Sequence, residues 1–259
     1  MEDLLQMKNK NMVVMGVANK RSLAWGVAQS LHQAGANLIF TYRKDRSLKK
    51  LEQLLDEFQI EAKQVIQCDV NDDESISQAF KEIGEKQEVI HGVVHSIAFA
   101  HAGDLKGDFI DTSRSGFSFA QDTSAYSLVA VAKAAQPYMT EGGSLTAMSY
   151  LGAERVVEGY NVMGVAKASL EASVRYLAAD LGKDNIRVNA ISAGAIRTLA
   201  AKGVPSFNEI LRKIEETSPL RRNVTKEEVG DMTLAMMSHL SRGVTGEIVY
   251  VDSGYNILG

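Results

Sequence analysis

A single cysteine, Cys68, stands in the 259 residues, so no internal disulfide can form and the chain suits a reducing compartment. Three prolines (Pro137, Pro205 and Pro219) are too few to mark a linker, and no Ser/Gly-rich or single-sign run breaks the pattern. One domain is therefore expected across residues 1–259, long enough to bury a substantial core. No apolar run approaches the roughly 18 residues of a membrane span, so no membrane partner is expected. The opening Met1-Glu2-Asp3-Leu4-Leu5 carries acids and no apolar leader, which makes the cytoplasm the expected location. Bases are the minority charge, 28 against 32 acids, with a net charge of −4 and a pI near 5.8. That argues against a nucleic-acid binder, which would show a basic face, and no nucleic-acid partner is expected. Histidine is scarce, with five residues. His91 and His95 are four apart but lie in a strand-like run, so no metal site is expected.

What the chain does have is alternation. Short β-branched runs read as strands at Met12–Met15, Asn37–Tyr42, Gln64–Cys68, Gly92–Ile97, Ser144–Ser149, Arg187–Ser192 and Glu247–Val251. Amphipathic stretches such as Leu23–Gln33, Leu48–Phe58 and Glu74–Lys86 separate them. In the first, Leu23, Val27 and Leu31 recur every four residues, the spacing of one buried helix face. Strand–helix alternation predicts an α/β domain of the Rossmann type. Its seven-stranded parallel sheet, in the order 3-2-1-4-5-6-7, should carry helices on both faces. Ligands of such sheets bind beyond the carboxyl ends of the strands, where the order reverses.

The first strand runs into Gly16-Val17-Ala18-Asn19-Lys20-Arg21-Ser22-Leu23-Ala24-Trp25-Gly26. This is not the compact G-x-G-x-x-G fingerprint, yet the physics is similar. Gly16 permits a tight exit from the strand, Ser22 can cap the following helix, and Gly26 lets that helix pack closely on the strand. Free amides and the helix dipole would then face a pyrophosphate. An ordinary strand, turn and capped helix would read the same way. The second strand ends Arg43-Lys44-Asp45-Arg46-Ser47, three bases against one acid. An acid commonly holds a ribose 2′-hydroxyl here, so Arg43, Lys44 and Ser47 favour NADPH, with NADH the alternative. Asp69, after the third strand, could meet the adenine amino group or solvate its own turn. The fourth strand ends in the small, apolar Ile97-Ala98-Phe99-Ala100, leaving room for a flat ring.

Ordinary short-chain dehydrogenases place a lysine four residues after a catalytic tyrosine, and no Tyr-x-x-x-Lys occurs here. Tyr150, Tyr160 and Lys167 follow the fifth strand instead. Seven residues span about 10 Å of helix axis, against about 6 Å for four, so Tyr160 and Lys167 can share a helix face with the hydroxyl displaced. The displacement has a chemical meaning. Carbonyl reduction protonates the oxygen on the carbon that receives hydride. In an α,β-unsaturated thioester hydride adds to the β-carbon while charge develops on the more distant carbonyl oxygen, where a donor stabilises the enolate. Read alone, the three residues also fit two packing tyrosines and a solvated lysine.

At these residues the chain resembles the bacterial enoyl-[acyl-carrier-protein] reductases, a divergent branch of the short-chain dehydrogenase/reductase superfamily. The resemblance covers nearly the whole chain. It is carried by Gly16–Gly26, His95–Ala100, the Tyr150/Tyr160/Lys167 triplet and Ser192–Ala200; the triplet spacing is specific, the glycine turn is not. It implies reduction of the trans-2 double bond of an enoyl thioester on acyl-carrier protein with hydride from NAD(P)H, the last step of the fatty-acid elongation cycle. It also implies that Tyr160 bonds the thioester carbonyl, Lys167 holds the nicotinamide ribose, and Tyr150 lines the substrate pocket and assists protonation. Gly16, Ser22, Leu23, Asp69, Val70, Ile97, Ile196 and Thr198 match cofactor contacts, and Ala100 matches a substrate contact. The family is typically tetrameric, and the small-residue segment Ala166–Leu181 could pack between subunits or internally. One departure is Ala195, where the family usually has proline, which removes a φ restraint.

Further expectations concern the substrate. Thr198–Phe207, within a lid at about 198–215, should close over the acyl chain with Val204 and Phe207 facing it. Arg197, Lys202, Arg212 and Lys213 are either a docking patch for the acidic carrier or solvated charges. A 3-ketoacyl or other carbonyl reductase, and an NAD(P)H-binding redox sensor without catalysis, are the competing functions. The missing Tyr-x-x-x-Lys argues against the first and the intact triplet against the second.

Overall fold

Strands buried on both faces favour apolar residues, and most of the runs read above are rich in them. In the structure, a computed structural model describing residues 4–198 and 207–258, they are β1 (Asn11–Met15), β2 (Asn37–Tyr42), β3 (Ala62–Gln67), β4 (Gly92–His95), β5 (Gly143–Ser149), β6 (Ile186–Ala193) and β7 (Ile248–Val251). Every pairing is parallel and the sheet order is 3-2-1-4-5-6-7, as expected. The order reverses at β1, which pairs with β2 on one side and β4 on the other.

The helices are α1 (Leu23–Gln33), α2 (Asp45–Phe58), α3 (Asp73–Gln87), α4 (Arg114–Gln121), α5 (Ser127–Ala135), α6 (Asn161–Leu181), α7 (Phe207–Thr217) and α8 (Lys226–Met237). They cover both faces. Phe80, Leu128, Leu170 and Val174, from α3, α5 and α6, pack on one face of the sheet. Trp25, Leu31, Leu51 and Val229, from α1, α2 and α8, pack on the other.

Four local expectations change. β4 stops at His95 rather than Ile97, because its neighbour β1 ends opposite it at Met15 and turns away at Gly16. Ser96 and Ile97 therefore belong to the loop over the crevice. β3 runs Ala62–Gln67, two residues earlier than read at its start, and leaves Cys68 beyond it. α2 starts at Asp45, because Ser47 Oγ exchanges hydrogen bonds with the Lys44 backbone and organises a first turn that the charged sequence disguises. The close approach at Gly26 is to α8, not to the strand: a Cβ there would collide with the Lys226 carbonyl.

Candidate active site

The carboxyl ends of β1 to β4 surround a cleft of about 220 Å³ lined by Gly16, Thr41, Ser47, Val70, Ile97 and Thr123, among others. Gly16 sits at φ +95°, and a Cβ on it would collide with the Ser96 carbonyl, so only glycine lets the two strand exits approach. Ser22 occupies the N-cap position of α1 but does not cap it. Its hydroxyl donates back to the Asn19 carbonyl at 2.5 Å. No acid stands in the first turn of α1. The helix dipole and its leading amides therefore remain for an external anion, and Leu23 is the first residue of that turn. A dinucleotide pyrophosphate fits this turn.

At the far end of the cleft Arg43 and Asp69 pair with each other, Nε to Oδ2 at 2.8 Å. Asp69 also accepts from the Asn71 backbone at 3.1 Å. Burial alone would raise the Asp69 carboxyl, but the bonds from Arg43 and Asn71 carry it below its ordinary value. The cap of α3 is Asp72, whose side chain accepts from Glu74 and Ser75. Arg43 and Lys44 are exposed at the rim. Cys68 also lines the cleft, its thiol pushed up to about 12 by burial and by Asp69 and Asp72, which makes it inert.

At the end of β5 Tyr150 enters a short turn over Leu151–Ala153 and meets Tyr160 edge to face, ring centroids 4.9 Å apart. Gly152 has room for no side chain, since a Cβ would enter the Tyr160 ring. Tyr160 is the N-cap of α6, one residue ahead of the helix, and Asn161 follows at φ +38° with its amide donating to the Gly107 carbonyl. The two-turn spacing to Lys167 thus starts at a helix boundary rather than inside one continuous helix. Lys167 is buried and donates from Nζ to the Met148 carbonyl at 2.6 Å. Burial lowers it to about 8, against the upward pull of Glu171. Tyr150 is pushed up to about 12 by burial and Tyr255. Tyr160 is raised by burial, Tyr150 and Glu171. Both phenols are neutral donors at neutral pH.

Beyond β6, Ala195 is buried in a small cluster with Leu211 and Ile214, against which Phe207 and Tyr255 pack. Packing holds Ala195 in place of the ring restraint. Ile196 leans on the main core, and Thr198 N donates to the Ile196 carbonyl at 2.7 Å. Val204 and Lys202 lie outside the described residues. Arg197 bonds Asn208 at 2.5 Å and Arg212 pairs with Glu216 at 3.7 Å. His91 and His95 turn to separate partners, the Asn11 amide and the Ser127 hydroxyl.

Residues 16–256 match the family model described as enoyl-(acyl carrier protein) reductase. The enoyl-[acyl-carrier-protein] reductase [NADH] FabI of Bacillus cereus is 60% identical over 257 residues, covering 99% of this chain and all of that protein. The [NADPH] FabI of a Staphylococcus aureus strain is 57% identical over 98% of this chain and all of its own length. The chain belongs to the enoyl-[acyl-carrier-protein] reductase family. A crystal structure of the Bacillus cereus reductase with NADP+ and an indole naphthyridinone superposes at a TM-score of 0.96, with 59% identity over 98% of each chain. The relatives of this reductase are thus named for both nicotinamide cofactors.

Sequence reasoning missed two residues beside the candidate site. Ser124, in the π-helical turn Asp122–Tyr126, accepts the Phe99 amide at 3.0 Å and holds the loop that follows β4. Glu171 is buried one turn beyond Lys167. Its signal was available: it is the one acid between Asn161 and Ala179 in a helix of small and apolar residues.

Proposed function

We propose that this chain reduces the trans-2 double bond of an enoyl thioester carried on acyl-carrier protein, closing the elongation cycle of fatty-acid synthesis. One observation carries the reading: two contacting phenols and a buried lysine cluster at the end of β5, with a seven-residue rather than a four-residue spacing. When bound, NAD(P)H supplies the hydride. Tyr160 donates to the thioester carbonyl oxygen as negative charge builds there. Lys167 spends one of its three donors on Met148, and the others hold the ribose hydroxyls of the nicotinamide. Tyr150 lines the substrate pocket with Ala100, Val204 and Phe207, and a lid at about 198–215 excludes water from the enolate.

For the cofactor, Gly16, Ser22 and Leu23 hold the pyrophosphate, Val70, Ile97, Ile196 and Thr198 line its path, and NADPH is preferred over NADH. Arg43, Lys44 and Ser47 stand where a 2′-phosphate would lie, and Asp69 shares Arg43 with it. The carrier docks on Arg197, Lys202, Arg212 and Lys213. The single catalytic domain assembles as a homotetramer in the cytoplasm.

The experiment is to follow NADPH consumption with a crotonyl thioester and, separately, with a 3-ketoacyl thioester. Turnover of the enoyl substrate is expected. Turnover of the ketone alone would make the chain a carbonyl reductase, and cofactor binding without turnover of either would make it a sensor.

A further inference from the structure

Glu171 has no part in the scheme above, yet burying a carboxylate is costly unless something holds it. Ser149 Oγ donates to Glu171 Oε1 at 2.5 Å. Ser149 directly follows Met148, whose carbonyl accepts from Lys167 Nζ at 2.6 Å. These bonds close a ring: lysine to carbonyl, one peptide along β5, hydroxyl to carboxylate, and one turn of α6 back to the lysine. At positions i and i+4 the two side chains lie on the same helix face, about 6 Å apart along the axis. Both are buried, with Lys167 4% and Glu171 5% exposed.

We propose that Glu171 is a positioning residue for the reduction, its carboxylate keeping the buried Lys167 an ammonium aimed at the end of β5. This rests on Lys167 holding the ribose. Burial works against the ammonium, and the charge of Glu171 is what opposes it. Other groups face the pair from each neighbouring element. Arg175 lies one turn further along α6, and Glu154 follows the turn after β5. Tyr250 of β7 is bonded to Glu154 and feels Asp252. Tyr160 lies at the start of α6 beside Tyr150. His95 of β4 is held neutral by burial and, in the same direction, by Lys167. Burial, with Glu154, raises the Glu171 carboxyl, and the Ser149 bond leads the groups that oppose this, ahead of Arg175 and Lys167.

The test is a titration of NADPH affinity against pH, by cofactor fluorescence, in the wild type, Glu171→Gln, Glu171→Asp and Lys167→Ala. Wild-type affinity should fall on the alkaline side near pH 8, where Lys167 loses its proton. Glu171→Gln should move that fall toward acid by about one pH unit, because a neighbouring opposite charge is removed. Glu171→Asp, which keeps the charge, should stay nearer the wild type. An alkaline fall left in place by Glu171→Gln, or a loss equal at every pH, overturns the proposal. Should Glu171→Gln not fold, Ser149→Ala reads the same fall: a smaller shift in the same direction supports the proposal and none overturns it. Lys167→Ala separates the two levels. If it binds NADPH like the wild type, the ribose role and this inference fall together. If it binds weakly while Glu171→Gln leaves the fall in place, only this inference falls.

Discussion

Tyr160→Phe removes one hydroxyl and leaves the ring against Tyr150, so folding and cofactor binding should survive. Turnover should drop about ten- to a thousand-fold, the span for losing one positioned donor or acid. Lys167→Ala should instead weaken cofactor binding first. Single-turnover reduction of an enoyl thioester, with NADPH affinity measured alongside, separates the two roles. Full chemical rate in Tyr160→Phe would remove the phenol from the mechanism. Beyond β2, neutralising Arg43 and Lys44 together should weaken NADPH by about 1–3 kcal/mol while NADH changes much less. Equal losses for both cofactors, measured by titration, would assign the two bases to the fold or the pyrophosphate. Residue types and spacings pointed to these side chains, but their pairings could not be read in advance. Arg43 with Asp69 depends on how two loops meet, which no local pattern encodes, and Ser22 turned from the expected cap back to Asn19 within its own turn.

Among the elements, α1 and α8 meet most closely at Gly26 and Gly230: a Cβ on Gly26 would strike the Lys226 carbonyl, and one on Gly230 the Gly26 carbonyl. Gly26→Ala should therefore cost about 1–3 kcal/mol, since backbone rather than a flexible side chain must yield. Gly182→Ala is the control. Its φ is −58° and no described atom lies within 4 Å of an added Cβ, so it should not destabilise. Urea midpoints of the two variants test the contrast, and equal midpoints would refute the crowding. The same scale explains what the sequence made visible. Central parallel strands are buried on both faces, so the apolar runs of β1 and β2 stood out, and β5 and β6 did so through β-branched and small residues despite buried polar ones such as Thr146 and Asn189. The segment from α4 to α5 did not. Its period of 3.6 is interrupted by the π-helical turn, where Thr123 and Ser124 point polar groups inward to Asn71 and Phe99. The Gly26 contact escaped because it joins elements 200 residues apart in the chain.

For the molecule as a whole, acid sensitivity should trace in part to His95. Its ring is buried against Ser127, Nε2 to Oγ at 2.8 Å, and burial lowers its pKa from 6.5 to about 3. Above 6.5 both folded and unfolded chains hold the ring neutral. Below it the unfolded chain takes up a proton that the folded chain refuses until about 3, so stability drains across that window. At pH 5 the loss should be about 2 kcal/mol, measurable by urea unfolding at two pH values. An NMR titration showing His95 protonated near its ordinary value in the folded state would contradict this. The placement of β1 at the turning point of the sheet has a consequence for synthesis. Met12 pairs with Leu38 on one side but with Gly92 on the other. At roughly 5–20 residues per second, the ribosome leaves the inner edge of β1 open for several seconds after β2 is made. That edge, Met12–Met15, is wholly apolar and carries unpaired amides and carbonyls, a template for pairing with another nascent chain. Until β4 emerges, the strand that leads into the cleft stays open to aggregation, and slower translation between Tyr42 and Gly92 should lower the soluble yield.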